Sequence, residues 1–292
     1  MAYPNLSDTL VKDILDYLEC PKKAPTLRYL NHLIKAYLRK VPWESVSRIV
    51  KRHATLETED CPRWPEEFWQ ETMQLGFGGT CYESSLAFYS LLMALGYEGY
   101  LTVNDMGASR GCHAAIVLLL NKHKYLVDIT MPIHVAVRID PQKIVRRNTA
   151  FQNYTIRPVQ ENKFEVERSH HPNRNAFTMI DIPVSLQDYQ EIVKNDYRET
   201  GFFLRSVVMV RVMGDKTWRF FSDHKPYKLE SFNRAGKREI FLEPETLPHI
   251  LAELFQMPED QISAALSWIS TPSIMPRNEI ISLPMVLEGS AQ

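Results

Sequence analysis

The sequence predicts an α+β protein in which helices lead and strands follow. Up to Gly96, apolar residues recur at helical spacing. Beyond it come short runs rich in β-branched and aromatic residues, and only two later stretches return to a helical pattern.

In chain order, Leu10, Val11, Ile14, Tyr17 and Leu18 line one face of a helix over 10–18, with Ser7 and Asp8 as N-cap candidates. A second helix follows Thr26, carries Leu27, Leu30, Leu33, Ile34, Tyr37 and Leu38 on one stripe, and ends before Pro42. A third is expected over 65–75. The stretch 81–95 is apolar almost all round, the mark of a buried helix, and Gly96 stops it. Strands are predicted over 100–103, 113–120, 124–129 and 163–166. Two more, 207–212 and 217–221, are joined across Gly214 and Asp215 as a hairpin. A polar helix over 185–197 and an amphipathic one over 246–256 complete the pattern. Pro272, Pro276 and Pro284 mark the tail after Trp268 as extended over the surface.

A chain of 292 residues with 45% hydrophobic and 24% charged residues has the profile of an ordinary globular protein able to bury a sizeable core. Its formal net charge of −1 gives no field to draw it to nucleic acid or to an acidic membrane. The local basic group Lys143, Arg146 and Arg147 reads as a solvated face before it reads as an anion site. The N-terminus lacks signal-peptide features and no apolar stretch has membrane-spanning length, so the expected location is the cytoplasm. The four cysteines, Cys20, Cys61, Cys81 and Cys112, form neither a CxxC pair nor a dense framework and read as free thiols.

The chemistry concentrates in Gly76-Phe77-Gly78-Gly79-Thr80-Cys81-Tyr82-Glu83, where a cysteine opens a buried helix directly after a glycine pair. Thr80 and Glu83 fit a capping box that places Cys81 at the first helical position. There the positive end of the helix favours the thiolate, and backbone N–H groups can stabilise an oxyanion. The glycines are expected to let the backbone turn sharply and approach a ligand.

A base is available. A two-residue loop at Asn121 and Lys122 sets Asp128 opposite Ala115, on the same face as His113 and diagonally next to it. An aspartate at the end of an apolar strand needs a partner, and an imidazole supplies one. Cys81, His113 and Asp128 therefore read as nucleophile, base and orienting acid. Cys112, one residue from His113 on the strand, is expected to face away. His134, His170 and His171 have no comparable acidic neighbour, Cys61 lies in a charged loop, and zinc ligation by Cys81, Cys112 and His113 matches no familiar spacing.

Taken together, these motifs resemble the arylamine N-acetyltransferases, in which an Arg-Gly-Gly-x-Cys segment opens a helix and is followed by a His and a strand carrying Asp. Here the segment is Phe77-Gly78-Gly79-Thr80-Cys81, with His113 and Leu126-Val127-Asp128 in the same order. Upstream, Pro42-Trp43-Glu44-Ser45-Val46 is similar to the family's Pro-Phe-Glu-Asn-Leu. Phe77 stands where the family has an arginine expected to pair with the residue matched by Glu44, so Glu44 needs another partner. Ser45 and Ser85 replace asparagines.

The resemblance implies a papain-like arrangement of N-terminal helical bundle, central β-barrel and C-terminal α/β lid, divided at 1–96, 97–205 and 206–292. It implies acetyl-CoA as cosubstrate with no bound cofactor or metal, and an aromatic amine or hydrazine as acceptor of an acyl group held on Cys81. The same triad also suits a transglutaminase-like hydrolase or an amide synthase, and the altered Phe77, Ser45 and Ser85 suit a non-catalytic binding protein.

Overall fold

A computed structural model describes residues 6–270 apart from 132, 150, 151, 170–174, 199, 200 and 234. The proline-bearing tail and the pair His170 and His171 lie outside the described residues. Helix α1 (Asp8–Tyr17) starts where the Ser7 hydroxyl accepts from the Leu10 N–H at 3.2 Å, and α2 (Leu27–Lys40) where Thr26 accepts from Tyr29 at 3.2 Å. These side-chain oxygens satisfy N–H groups that have no partner within the helix. Helix α4 (Pro65–Leu75) has proline at its start, where no N–H is needed, and ends at Gly76 in the left-handed conformation (φ 69°).

Helix α5 (Cys81–Ala94) is buried along nearly its whole length, as its all-round apolar sequence requires. It packs with α1, α2 and α4 around Ile14, Leu30, Ile34, Trp69 and Phe88. The Trp69 indole donates to the Ala87 carbonyl at 3.0 Å, so the one polar atom of that large side chain is paired.

Eight antiparallel strands follow: β2 (Glu98–Met106), β3 (Ser109–Leu120), β4 (His123–Val127), β5 (Val137–Ile139), β6 (Val145–Asn148), β7 (Asn153–Gln160), β8 (Lys163–Arg168) and β9 (Asn175–Ile180). Their order is β5-β4-β3-β2-β9-β8-β7-β6, and the curved sheet brings its edges β5 and β6 together as a nearly closed barrel. Asn121 and Lys122 both have positive φ (50° and 63°), making the two-residue turn that pairs Leu120 with His123 and Ile116 with Val127. The expected register therefore holds, although β4 ends one residue before Asp128.

Helix α6 (Leu186–Asp196), capped by Ser185, crosses back to the helical layer. The second sheet contains β10 (Val208–Met213), β11 (Lys216–Phe221), β12 (Lys228–Asn233) and β13 (Gly236–Phe241). Its first strand comes from far upstream: the two-residue β1 (Trp43–Glu44) pairs with β10. Helices α3 (Val46–Ala54), α7 (Leu247–Phe255) and α8 (Glu259–Ser270) cover this sheet around Val46, Ile49, Phe220, Leu251 and Phe255. The fold is thus the expected α+β arrangement of helical bundle, barrel and α/β lid. Helices α3 and α8 and strands β1, β5, β6, β7, β9, β12 and β13 are additions to the elements expected from sequence, and no helix among the described residues is long and apolar enough to cross a membrane.

Candidate active site

Cys81 occupies the first turn of α5, buried, with its thiol 3.6 Å from the Cys112 carbonyl on β3. Several hydrogen bonds from α5 to its surroundings hold it there. Ser85 donates to the Ala114 carbonyl at 3.2 Å, Tyr82 to the Gly111 carbonyl, and Tyr189 of α6 to the Tyr82 carbonyl at 2.8 Å. The helix that presents the sulfur is thereby tied to the strand that presents the histidine.

His113 Nε2 lies 2.7 Å from Asp128 Oδ2, both residues being buried. The other Asp128 oxygen accepts from the Thr130 and Met131 N–H groups, each at 2.9 Å, and from the Thr130 hydroxyl at 3.0 Å. Burial opposes a charge on His113, but the Asp128 carboxylate and hydrogen bonding to Asp128 and Cys81 outweigh it and raise the imidazole to about 10. Burial likewise opposes the Asp128 charge, and His113 with the backbone N–H donors holds that carboxyl below its ordinary value. With Nε2 engaged by Asp128, the other ring nitrogen is left for Cys81. The structure therefore brings together the three residues singled out from sequence.

The capping box does not form. The Thr80 hydroxyl makes no bond to its own helix; it lies 2.6 Å from Arg48 Nη1, and Arg48 also binds the Asp196 carboxylate and carbonyl, each at 2.6 Å. Glu83 turns away from Thr80 to accept from Arg63 N at 2.9 Å, Arg63 Nη2 at 2.7 Å and the Tyr197 hydroxyl at 2.5 Å. Two charge-assisted bonds to buried arginines outcompete the weaker local pair. Burial opposes ionisation of Glu83, yet Arg63 and Arg48 hold it below the usual carboxylate range.

The glycine pair also serves a purpose other than approach to a ligand. A Cβ on Gly78 would sit 1.7 Å from the Pro42 carbonyl oxygen, and one on Gly79 would press on Arg63, Phe68 and Glu83 at 3.0–3.3 Å. The loop leading into Cys81 is packed against protein on this side.

On its other side lies a cavity of about 350 Å³, bordered by Cys81, His113, Trp43, Tyr154, Phe203 and Phe221 among others. Cys112 borders it too, contrary to the expected alternation. Gly111 has φ 58° and the β2–β3 register shifts between Asn104 and Met106, so that end of β3 does not follow the regular pleat. His134 is buried and lines the same cavity, which its irregular sequence surroundings did not signal. Cys61 is buried away from it, all four cysteines are free, and no cluster of three or more metal-binding side chains occurs among the described residues.

The family model for N-acetyltransferases matches residues 26–261, spanning the bundle from α2 onward, the barrel and most of the lid. The chain belongs to the arylamine N-acetyltransferase family. It is accordingly an enzyme of the acetyltransferase class. A search of curated protein sequences found no match. Among solved structures, the Mycobacterium marinum arylamine N-acetyltransferase superimposes with TM-score 0.75 at 16% identity, over 89% of this chain and 99% of that one. The same values hold for that enzyme in complex with CoA. An arylamine N-acetyltransferase from Bacillus cereus, described as having a Cys-His-Glu catalytic triad, gives 0.70 at 16% identity, over 86% and 99%.

As a member of this family the chain departs from its pattern at Phe77, Ser45 and Ser85 among other positions, and each of these three has a structural answer. Phe77 packs with Val46, Ile49, Phe220 and Phe255 in the lid core. Its missing positive charge is supplied by Arg63, which acts on Glu44 through space while donating to the Gly78 carbonyl at 2.7 Å. Glu44 itself accepts from Ser47 N at 2.9 Å, Ser47 Oγ at 2.6 Å and Gly78 N at 3.1 Å; burial is the larger influence and keeps its carboxyl above the ordinary value. Ser45 bonds both the Ser206 carbonyl (2.8 Å) and the Val208 N–H (2.9 Å), fixing the start of β10. Ser85 makes the α5–β3 link described above.

Proposed function

We propose that this enzyme transfers an acyl group, in the simplest case acetyl, from a coenzyme A thioester to an aromatic amine or hydrazine, with Cys81, His113 and Asp128 as its catalytic residues. The observation that carries the reading is the buried His113–Asp128 pair set beside Cys81 at a helix N-terminus, on the wall of a cavity that also presents Trp43, Phe203 and Phe221. The family and the CoA complex of a structural neighbour agree with it.

In the first half-reaction the Cys81 thiolate attacks the thioester carbonyl. N–H groups in the first turn of α5, which lack helical partners, stand ready for the oxyanion. Collapse breaks the bond to coenzyme A, whose sulfur leaves with the proton held on His113. In the second, the amine attacks the acyl-cysteine, neutral His113 takes its proton, and the carbon–sulfur bond breaks to restore thiolate and imidazolium. Asp128 keeps the ring oriented throughout. No prosthetic group is required. We further propose the three-part division at 1–96, 97–205 and 206–292, and the cytoplasm as the place of action.

The test measures thiol release from acetyl-CoA with a panel of aromatic amines and hydrazines, for the native protein and Cys81→Ala, alongside mass spectra of the intact chain. Amine-dependent release that disappears in the variant, with an acetyl adduct on Cys81, is expected. An adduct discharged to water alone supports a hydrolase, discharge onto an internal amine of a carrier-bound chain supports an amide synthase, and no adduct from any donor in a folded protein supports a binding role.

A further inference from the structure

Strand β8 alternates in the ordinary way: Phe164 and Val166 are buried in the barrel, while Lys163, Glu165 and Glu167 lie on the outer face, where Arg157 reaches Glu165 at 4.0 Å and Glu167 at 3.7 Å. Arg168 is the next inward position after Phe164 and Val166. An arginine thus stands where the pattern calls for an apolar residue, and its cross-strand partner is Tyr154, itself buried on β7. Both line the cavity that contains Cys81 and His113.

Three further observations concern its charge. Arg168 makes no hydrogen bond or ion pair among the described residues, and its Nε is buried without a partner. The other cavity arginine, Arg219, is already held by Glu230, with Nε 2.7 Å from the carboxylate. Among the described residues no aspartate or glutamate borders the cavity. Burial weakens the hold of Arg168 on its proton and Arg219 adds repulsion; together they outweigh the favourable influence of Tyr154 and Asp128. A cation kept in such a place, with no carboxylate bonded to it among the described residues, is matched to one that arrives with a ligand.

We propose that Arg168 is an anion subsite of the acyl-transfer cavity and selects substrates that carry a carboxylate, on either the amine or the acyl chain. This rests on the function proposed above and narrows its substrate class. The aromatic walls of Trp43, Phe203 and Phe221 take the apolar body, and the guanidinium takes two carboxylate oxygens through paired N–H donors. The phosphates of coenzyme A are the weaker candidate, because a full pantetheine arm separates them from the thioester that must reach Cys81.

The first experiment needs no turnover. Cys81 is alkylated with iodoacetamide, the modified peptide is followed by mass spectrometry, and protection by benzoate is compared with protection by benzamide in the native protein, Arg168→Gln and Arg168→Lys. Benzoate is expected to protect better in the native protein. That preference should fall about 10- to 100-fold in Arg168→Gln and be partly kept in Arg168→Lys, which retains a point charge. Equal protection by the two ligands, or an unchanged preference in Arg168→Gln, overturns the proposal. So does Arg168-dependent protection by adenosine 3′,5′-bisphosphate with no effect of benzoate, which assigns the arginine to a phosphate. The second experiment finds the source of the carboxylate: acyl loading of Cys81 from succinyl- against butyryl-CoA, and turnover of 4-aminobenzoate against 4-aminobenzamide. Absence of loading from every donor sinks the transferase reading, while the alkylation result still decides the subsite.

Discussion

Two arginines a short way from Cys81 are treated in opposite ways. Arg63, beneath the nucleophile's loop, is wholly buried, yet its guanidinium meets Glu71, Glu83 and the Gly78 carbonyl, and its backbone N–H meets Glu83 as well. The Nε of both arginines is unpaired, but Arg168, at the cavity wall, has no carboxylate or carbonyl bonded to the rest of its guanidinium among the described residues. The first kind of buried charge specifies a conformation, because each partner fixes the next. The second leaves a demand in the folded protein that only a ligand meets. The floor of the site is finished by the chain itself, and the mouth is not.

This contrast can be broken experimentally. The largest effect is expected at Asp128, which belongs to the floor through its three donors from Thr130 and Met131 and to the mouth through His113. Asp128→Asn should lower kcat by about three to four orders of magnitude while leaving the cavity in place, checked by single-turnover acylation of Cys81. Next is Arg63→Met, which takes from the buried Glu83 its bonded cation and leaves it the Tyr197 hydroxyl and a backbone N–H; it should cost about 3–5 kcal/mol in urea unfolding. Arg168→Met should change stability by no more than about 0.5 kcal/mol, since no native partner is lost. Similar losses at the two arginines would erase the distinction drawn between them.

The His113–Asp128 pair sharpens the same point through pH. His113 has its folded value raised above its ordinary 6.5 to about 10, so the stability it contributes is fully present below about pH 6.5 and is lost as pH rises toward 10. Asp128, held below 3.8, contributes stability above that value and loses it in acid. Unfolding midpoints across pH 6–10 should therefore fall more steeply for the native protein than for His113→Gln. A modest effect, between those of the two arginines, belongs to Ser45→Ala, which removes the bonds to Ser206 and Val208 and should cost about 1 kcal/mol, seen as faster amide exchange at Val208.

Much of this was legible in the sequence where the governing interaction is local. Ser7, Thr26 and Ser185 cap the helices they precede, and the Asn121–Lys122 turn alone sets the register that brings Asp128 to His113. Helix α3 escaped because Val46, Ile49 and Val50 are too few to stand out among its charged residues; its helicity depends on packing against the lid. The capping box failed for a related reason. Thr80 and Glu83 have the right local spacing, but Arg48 and Arg63 approach them from distant parts of the chain, and nothing in an eight-residue motif announces them. Arg168 was readable as an inward position on a strand expected over 163–166, had that strand been extended by one turn of the alternation.

Strand β1 has a consequence for the order in which the protein is made. Trp43 bridges to Gly79 in the nucleophile's own loop and pairs with Val210 in the lid, while Ser45 bonds Val208, 163 residues further along the chain. A ribosome that has released the bundle and the barrel has exposed Cys81, His113 and Asp128 but not the strand against which Trp43 and Glu44 settle. Cys81 therefore gains its final setting only late in synthesis, when β10 emerges. Chains cut short before that point carry Cys81, His113 and Asp128 and lack the strand pairing around them.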